Sequence, residues 1–228
     1  GPLYRQTVLI AAAINDMFDV ADDRTNLSSL LIIDNPYTSH VTFSAPAVLV
    51  MNDGEVYDFP NRMFASRMAV QLPLETVMDI KKIELDHNAP GRIITCENAA
   101  PFASLVAEGV SCVYTEGYAN FAVKMLLKKF AESGVGCIHA GDADLDGFRI
   151  AKEVSNVIPL KGIVARDVLD KAPQGAGIEL TPEQRRRYES FLDDIRWRDY
   201  PFAPEIRRVL QRGRWIEQES FSRILANS

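Results

Sequence analysis

From Gly91 onward the chain alternates short apolar runs with helical stripes, and few architectures accept that pattern. Arg92 to Cys96 reads as a strand, Ala99 to Ala107 as a helix, Ser111 to Tyr114 as a strand and Ala119 to Glu132 as a helix. Within the last of these, Val123, Leu126, Leu127 and Phe130 recur at the spacing of one buried helix face. Gly136 to Ala140 is predicted as a third strand and Gly162 to Ala165 as a fourth. Between them Phe148 to Val157 forms a helix with Ile150, Val154 and Val157 inward. Strands this short and apolar, joined by helices, require right-handed crossovers and a parallel sheet covered on both faces. The expected fold class is therefore α/β with a Rossmann-like sheet, whose ligands bind in the loops beyond the carboxyl ends of the strands.

The flanks follow a different grammar. Tyr4 to Phe18 places Ile10, Ile14, Met17 and Phe18 at helical spacing, while Leu30 to Ile33, His40 to Phe43 and Ala47 to Met51 are short β-prone runs. Asn52-Asp53-Gly54 is a turn signal, with Val56 to Phe59 returning after it. Residues 1–90 are thus expected to form an α+β segment and residues 91–228 the α/β unit with a helical C-terminal elaboration. Helices are predicted there over Pro182 to Asp194, Pro204 to Gln211 and Trp215 to Leu225.

Composition removes several classes. The longest apolar run, Val8 to Ile14, is far short of the roughly 20 residues that cross a bilayer, and no charged segment before it marks a signal peptide. Gly1-Pro2 reads as the scar of a protease site, which leaves room for native sequence upstream. Cys96, Cys112 and Cys137 are odd in number and lie in or beside apolar runs, so they are expected to be buried thiols in a reducing cytoplasm. A net charge of −6 argues against a chain held on nucleic acid by its overall field, so any contact with DNA must be local, metal-bridged or supplied by partners.

Two of the predicted strands end on acids. Glu97 follows the first, and Asp142-Ala143-Asp144-Leu145-Asp146-Gly147 follows the third. Alternate positions in extended backbone share a face, so Asp142 and Asp144 should project together, with Gly147 freeing the turn into the next helix. Clustered anions need a cation, and hard oxygen donors in a solvated crevice suit Mg²⁺ or Mn²⁺, ions that also contact substrate phosphates. Phosphodiester chemistry follows, with Glu97 as the candidate acid or base.

A glutamate after one strand, followed about 45 residues later by Asp-x-Asp after another, resembles the Toprim fold of topoisomerases, primases and related nucleases. Thr95 to Ala99, Tyr114-Thr115-Glu116-Gly117, His139 to Phe148 and Trp215-Ile216-Glu217-Gln218-Glu219 are further similar to the JetD nuclease subunits of Wadjet plasmid-defence systems, themselves related to topoisomerase VI. The resemblance implies Glu97, Asp142 and Asp144 as catalytic, metal-binding acids, Asp146 as a less firmly matched ligand, and Glu219 as a weaker contributor. It also implies a homodimer that cleaves double-stranded plasmid DNA and is recruited by an SMC-like complex. Topoisomerase relatives use a tyrosine nucleophile. Tyr4, Tyr37 and Tyr57 lie before the α/β unit in no matching motif, so direct hydrolysis by an activated water is the expected mechanism.

Blander readings compete. Asp142, Asp144, Asp146, Gly147 and Glu153 satisfy the calcium-loop pattern D-x-D-x-D-G-x5-E, but an EF-hand needs a helix entering the loop, and Arg149 stands where an apolar residue is usual. An Asp-x-Asp phosphoryl-acceptor site leaves Glu97 unexplained, and a Toprim scaffold without activity is a third alternative. His139 reads as structural, and Asn98 and Glu116 as cap or turn residues. Arg185, Arg186 and Arg187, with Arg207, Arg208, Arg212 and Arg214, make the C-terminal segment locally basic and a candidate for phosphate contacts.

Overall fold

The structure, a computed structural model, describes residues 39–85, 91–194 and 200–221. The helix expected over Tyr4 to Phe18 and the strand over Leu30 to Ile33 lie outside these residues. The described chain opens with β1 (His40–Ser44) and β2 (Ala47–Met51), in which alternate residues turn inward: Val41 and Phe43 from the first, Ala47, Leu49 and Met51 from the second. Gly54, at φ 94°, closes the turn to β3 (Val56–Tyr57), a conformation open to glycine at little cost. The strand expected over Val56 to Phe59 stops early, because Phe59-Pro60 opens α1 (Phe59–Ala65) and proline suits a first helical turn. Then come β4 (Val70–Pro73), α2 (Leu74–Asp79) and β5 (Ile80–Leu85), with β3, β2 and β5 forming a small antiparallel sheet.

The α/β alternation appears as expected. β6 (Arg92–Cys96), α3 (Ala99–Glu108), β7 (Cys112–Tyr114), α4 (Phe121–Glu132), β8 (Gly136–Ala140) and α5 (Leu145–Ser155) lead to β9 (Leu160–Ile163). These strands lie side by side in the order β7-β6-β8-β9, all parallel. Two strands from before residue 91 extend the same sheet: β1 runs antiparallel beside β7, and β4 antiparallel beside β1. The result is a six-stranded, mostly parallel sheet in an α/β fold.

Three expectations change. The fourth strand ends at Ile163, and Val164 instead begins α6 (Val164–Lys171), whose Ala165, Val168 and Leu169 are buried at helical spacing. Helix α5 starts three residues before Phe148, because Asp144 caps it. The helix expected from Trp215 is absent over the described residues. After β10 (Ile178–Glu179), α7 (Pro182–Asp193) and α8 (Ala203–Arg212), Gly213 ends α8 at φ 67° and the chain turns into β11 (Arg214–Trp215). β11 pairs antiparallel with β10, Ile216 bridges Ala143, and Gln218–Ser220 form a single 3-10 turn. Strand pairing with distant residues here overrides a local helical pattern.

Helix α5 lies between two apolar cores. Ile150 and Val154 pack into the one formed by β1, β2, β5 and α4, whereas Leu145, Phe148 and Ala151 pack into the one formed with α6, α8 and Ile216. Its amino terminus, where the acidic loop ends, is thereby fixed from both sides. Cys96, Cys112 and Cys137 are free and buried. Among the described residues no helix is long and apolar enough to cross a membrane.

Candidate active site

The strand order β7-β6-β8-β9 reverses direction between β6 and β8: the chain leaves β6 toward one edge of the sheet and returns to β8 on the other side. In open parallel sheets the ligand crevice lies at such a switch point, beyond the carboxyl ends of the strands. Cys96 and Ala140 pair across these two strands, so Glu97 and the Gly141-Asp142 segment leave the sheet side by side. The Asp142 amide donates to Glu97 Oε2 at 3.3 Å, and the Glu97 amide donates to the Ala140 carbonyl at 3.0 Å. Residues 45 positions apart in sequence are thus brought together.

Each acid is held by the frame through one oxygen. Asp142 Oδ1 accepts from Asn98 Nδ2 at 3.1 Å and from the Gln218 amide at 2.7 Å. Asp144 Oδ1 accepts from the Gly147 amide at 2.7 Å, capping α5, while the Leu145 amide donates to the Tyr188 hydroxyl at 2.7 Å. Among the described residues Glu97 Oε1, Asp142 Oδ2 and Asp144 Oδ2 accept no hydrogen bond. Two glycines make room for this packing. A Cβ on Gly141 would lie 2.4 Å from Glu97 Oε2 and 2.6 Å from His139 Nε2, and one on Gly147 would lie 2.1 Å from the Asp142 carbonyl oxygen. Gly147 therefore serves close approach within the first turn of α5, and a freer turn into the helix is not its role.

The other matched segments clasp the rim. The Thr115 amide and hydroxyl both donate to the Cys96 carbonyl, at 2.9 and 3.1 Å, and the Gly117 amide donates to that of Glu97 at 3.4 Å. Glu116 occupies a left-handed turn at φ 56°, unusual for a residue with a side chain. Asn98 precedes α3 without capping it, and its side chain is turned to Asp142 instead. Gln218, not singled out from sequence, is buried beneath the rim. Its side chain donates to Cys96 Sγ at 3.1 Å and accepts from the Asn98 amide at 3.2 Å. It lies within the matched run 215–219, but its role comes from β11 delivering the following turn across the acidic loop, which no local pattern shows.

Burial first, and repulsion among the acids second, disfavours negative charge at the rim. Burial, then repulsion from Asp142 and Asp144, pushes the Glu97 carboxyl up to about 7. Burial raises Asp144 to about 6 despite the bond from Gly147, and it also raises Asp142. Glu219 adds to the negative potential at Asp142. His139, fully buried, is pushed down to about 4 and is neutral at pH 7. Its Nδ1 shares a 3.0 Å hydrogen bond with Thr95 Oγ1, and Nε2 has no partner among the described residues.

Asp146 differs from the other acids. Its Oδ1 accepts from Arg187 Nη2 at 2.6 Å and from the Tyr118 hydroxyl at 3.1 Å, with Arg149 Nη1 at 3.6 Å. The rest of the basic set is turned to its own C-terminal unit. Arg185 donates to the Leu210 carbonyl, Arg186 to that of Pro182, Arg212 to those of Ala172 and Pro173, and Arg214 to that of Gly177. Arg208 pairs with Asp170, and Arg207 is exposed on α8.

Among the described residues no three His, Cys, Asp or Glu side chains are gathered tightly enough to enclose a metal ion as they stand. The donor set nevertheless fits a hard divalent cation: three acids at one strand-end rim, all with raised affinity for protons and each with one oxygen outside the frame. The calcium-loop reading does not fit. A strand, β8, leads into the loop, and Glu153 pairs with Lys124 at 3.4 Å.

A family model described as "Protein of unknown function C-terminus (DUF2399)" matches residues 71–227, more than half of the chain. No curated protein is similar enough to the chain to count as a match.

Proposed function

The chain belongs to the DUF2399 family, and we propose that it is a divalent-metal-dependent DNA endonuclease of the Toprim type, resembling the JetD subunits of Wadjet systems. The carrying observation is the meeting of Glu97 with Asp142 at the switch point of the sheet, one oxygen of each fixed by the frame. Glu97, Asp142 and Asp144 would hold Mg²⁺ or Mn²⁺ through their other oxygens. The ion supplies Lewis-acid stabilisation of the charge that develops on a phosphate in hydrolysis.

The protein's own groups provide the rest. In the metal-free protein, burial and its acidic neighbours push the Glu97 carboxyl up to about 7. With a cation bound it would be ionised, and its carboxylate could accept the proton of an attacking water while solvent water protonates the leaving oxygen. A bond from the water oxygen to phosphorus forms as the bond from phosphorus to the leaving oxygen breaks. Asp142 is oriented by Asn98 and Gln218, and Asp144 by the first turn of α5. In the reading we favour, the protein acts in the cytoplasm as a homodimer on plasmid DNA, recruited by an SMC-like complex.

Supercoiled plasmid incubated with Mg²⁺, Mn²⁺, Ca²⁺ or EDTA tests the proposal. Nicked or linear product should appear with Mg²⁺ or Mn²⁺ and disappear in Glu97→Ala and Asp142→Ala. The absence of a ready-made three-ligand cluster among the described residues favours one competing reading, a non-catalytic Toprim scaffold. Cleavage that is absent from the wild type under every metal, with partner present, would select it.

A further inference from the structure

Asp146, Arg149, Arg187 and Tyr118 form a second cluster against the acidic rim. One carboxylate oxygen is shared by the Arg187 guanidinium, the Tyr118 hydroxyl and, at longer range, Arg149. The two arginines come from different elements, α7 and α5, and Arg149 also lies 6.0 Å from the centroid of the Tyr118 ring. The Arg187 and Arg149 side chains remain 51% and 39% exposed, so the Asp146 contact leaves much of each guanidinium open to solvent. A guanidinium carries five N–H donors in a fixed fork that matches a phosphate, and a single carboxylate oxygen engages few of them.

Charge gives the cluster its direction. Two cations share one anion two residues beyond Asp144, on a chain whose net charge of −6 otherwise repels a polyanion. Arg185 and Arg186, the neighbouring arginines of α7, donate to carbonyls of the C-terminal unit, whereas Arg187 reaches toward the rim. A phosphodiester brought to Glu97, Asp142 and Asp144 meets three carboxylates, and a neighbouring cationic fork offsets that repulsion where it is greatest.

We propose that Arg187 and Arg149, held in place by Asp146, form an anchor for a backbone phosphate of duplex DNA next to the acidic rim. Asp146 is then a positioning residue that orients the arginines. The inference rests on the phosphodiesterase reading for its substrate class, but its test does not require cleavage.

Binding of a fluorescently labelled duplex to the full chain is measured by anisotropy in EDTA over a series of salt concentrations, so that no hydrolysis occurs. Arg187→Gln should weaken binding by roughly five- to tenfold and lower the slope of log affinity against log salt by about one, the signature of a lost phosphate contact. Arg149→Gln should act in the same direction. Asp146→Asn keeps an Oδ1 acceptor that still orients both guanidiniums and removes only the competing charge, so affinity should hold or rise.

If Asp146→Asn weakens binding as much as Arg187→Gln, the cluster is a structural ion pair and the anchor is refuted. It is equally refuted by an unchanged salt slope in Arg187→Gln with an unchanged melting curve, or by a wild type that binds no duplex at low salt. The nuclease reading is judged separately, by wild-type cleavage with Mn²⁺. Loss of binding in Arg187→Gln beside a wild type that never cleaves would retain the anchor and remove the nuclease.

Discussion

Glu97 carries the clearest consequences at the scale of single residues. Its carboxyl, ordinarily at 4.5, sits at about 7 in the folded protein, so the metal-free native state holds this proton more tightly than the unfolded chain does. The associated stability is fully present below about 4.5 and is lost as pH rises through about 7. His139 contributes the opposite sign below its ordinary value of 6.5, so a difference measurement is needed. In EDTA, the melting temperature of Glu97→Gln should exceed that of the wild type by a margin that grows between pH 5 and pH 8. Mn²⁺ at pH 8 should raise the wild-type melting temperature more than that of the variant, because binding to the native state adds to stability. A margin that is flat with pH would mean that Glu97 titrates normally. Gly141→Ala should abolish cleavage while leaving a cooperative melt, since the new methyl occupies the space of Glu97 Oε2 and His139 Nε2. The acids were legible from sequence because strand ends and alternation announce them. The partners of Asp146 were not, because Tyr118 and Arg187 approach it from 28 and 41 positions away.

Among the elements, α5 bears the most. Both of its apolar faces are buried, and Phe148, 1% exposed, stands within 6.1 Å of the Phe202 ring centroid. Phe148→Ala should cost about 3–5 kcal/mol in chemical denaturation, the range for deleting a buried aromatic ring. A cost below about 1 kcal/mol would show that the C-terminal core does not hold the helix. The strands and helices of the α/β unit could be read from period and length alone. Helix α6 could not, since it starts directly from β9 without a side-chain cap. Nor could the turn after β11, whose conformation depends on Ala143 and Asp142.

For the whole molecule, the main sheet takes two strands from before residue 91. Phe43 of β1 meets the Phe130 ring of α4 edge-on at 6.3 Å, so these strands also close the core over the parallel layer. A fragment beginning at Gly91 would bare that face and the edge of β7, and it should aggregate or melt without cooperativity in calorimetry; a sharp two-state transition would contradict this. One dimension of the molecule escapes substitution altogether. The acids follow directly on neighbouring strands that are joined rung by rung through main-chain amides as far as Cys96 and Ala140, so the gauge at the foot of the crevice is that of a β-ladder, about 4.8 Å between tracks. Side-chain changes can alter what this gap holds and how strongly. Its width belongs to the backbone and should persist through any variant that keeps the sheet.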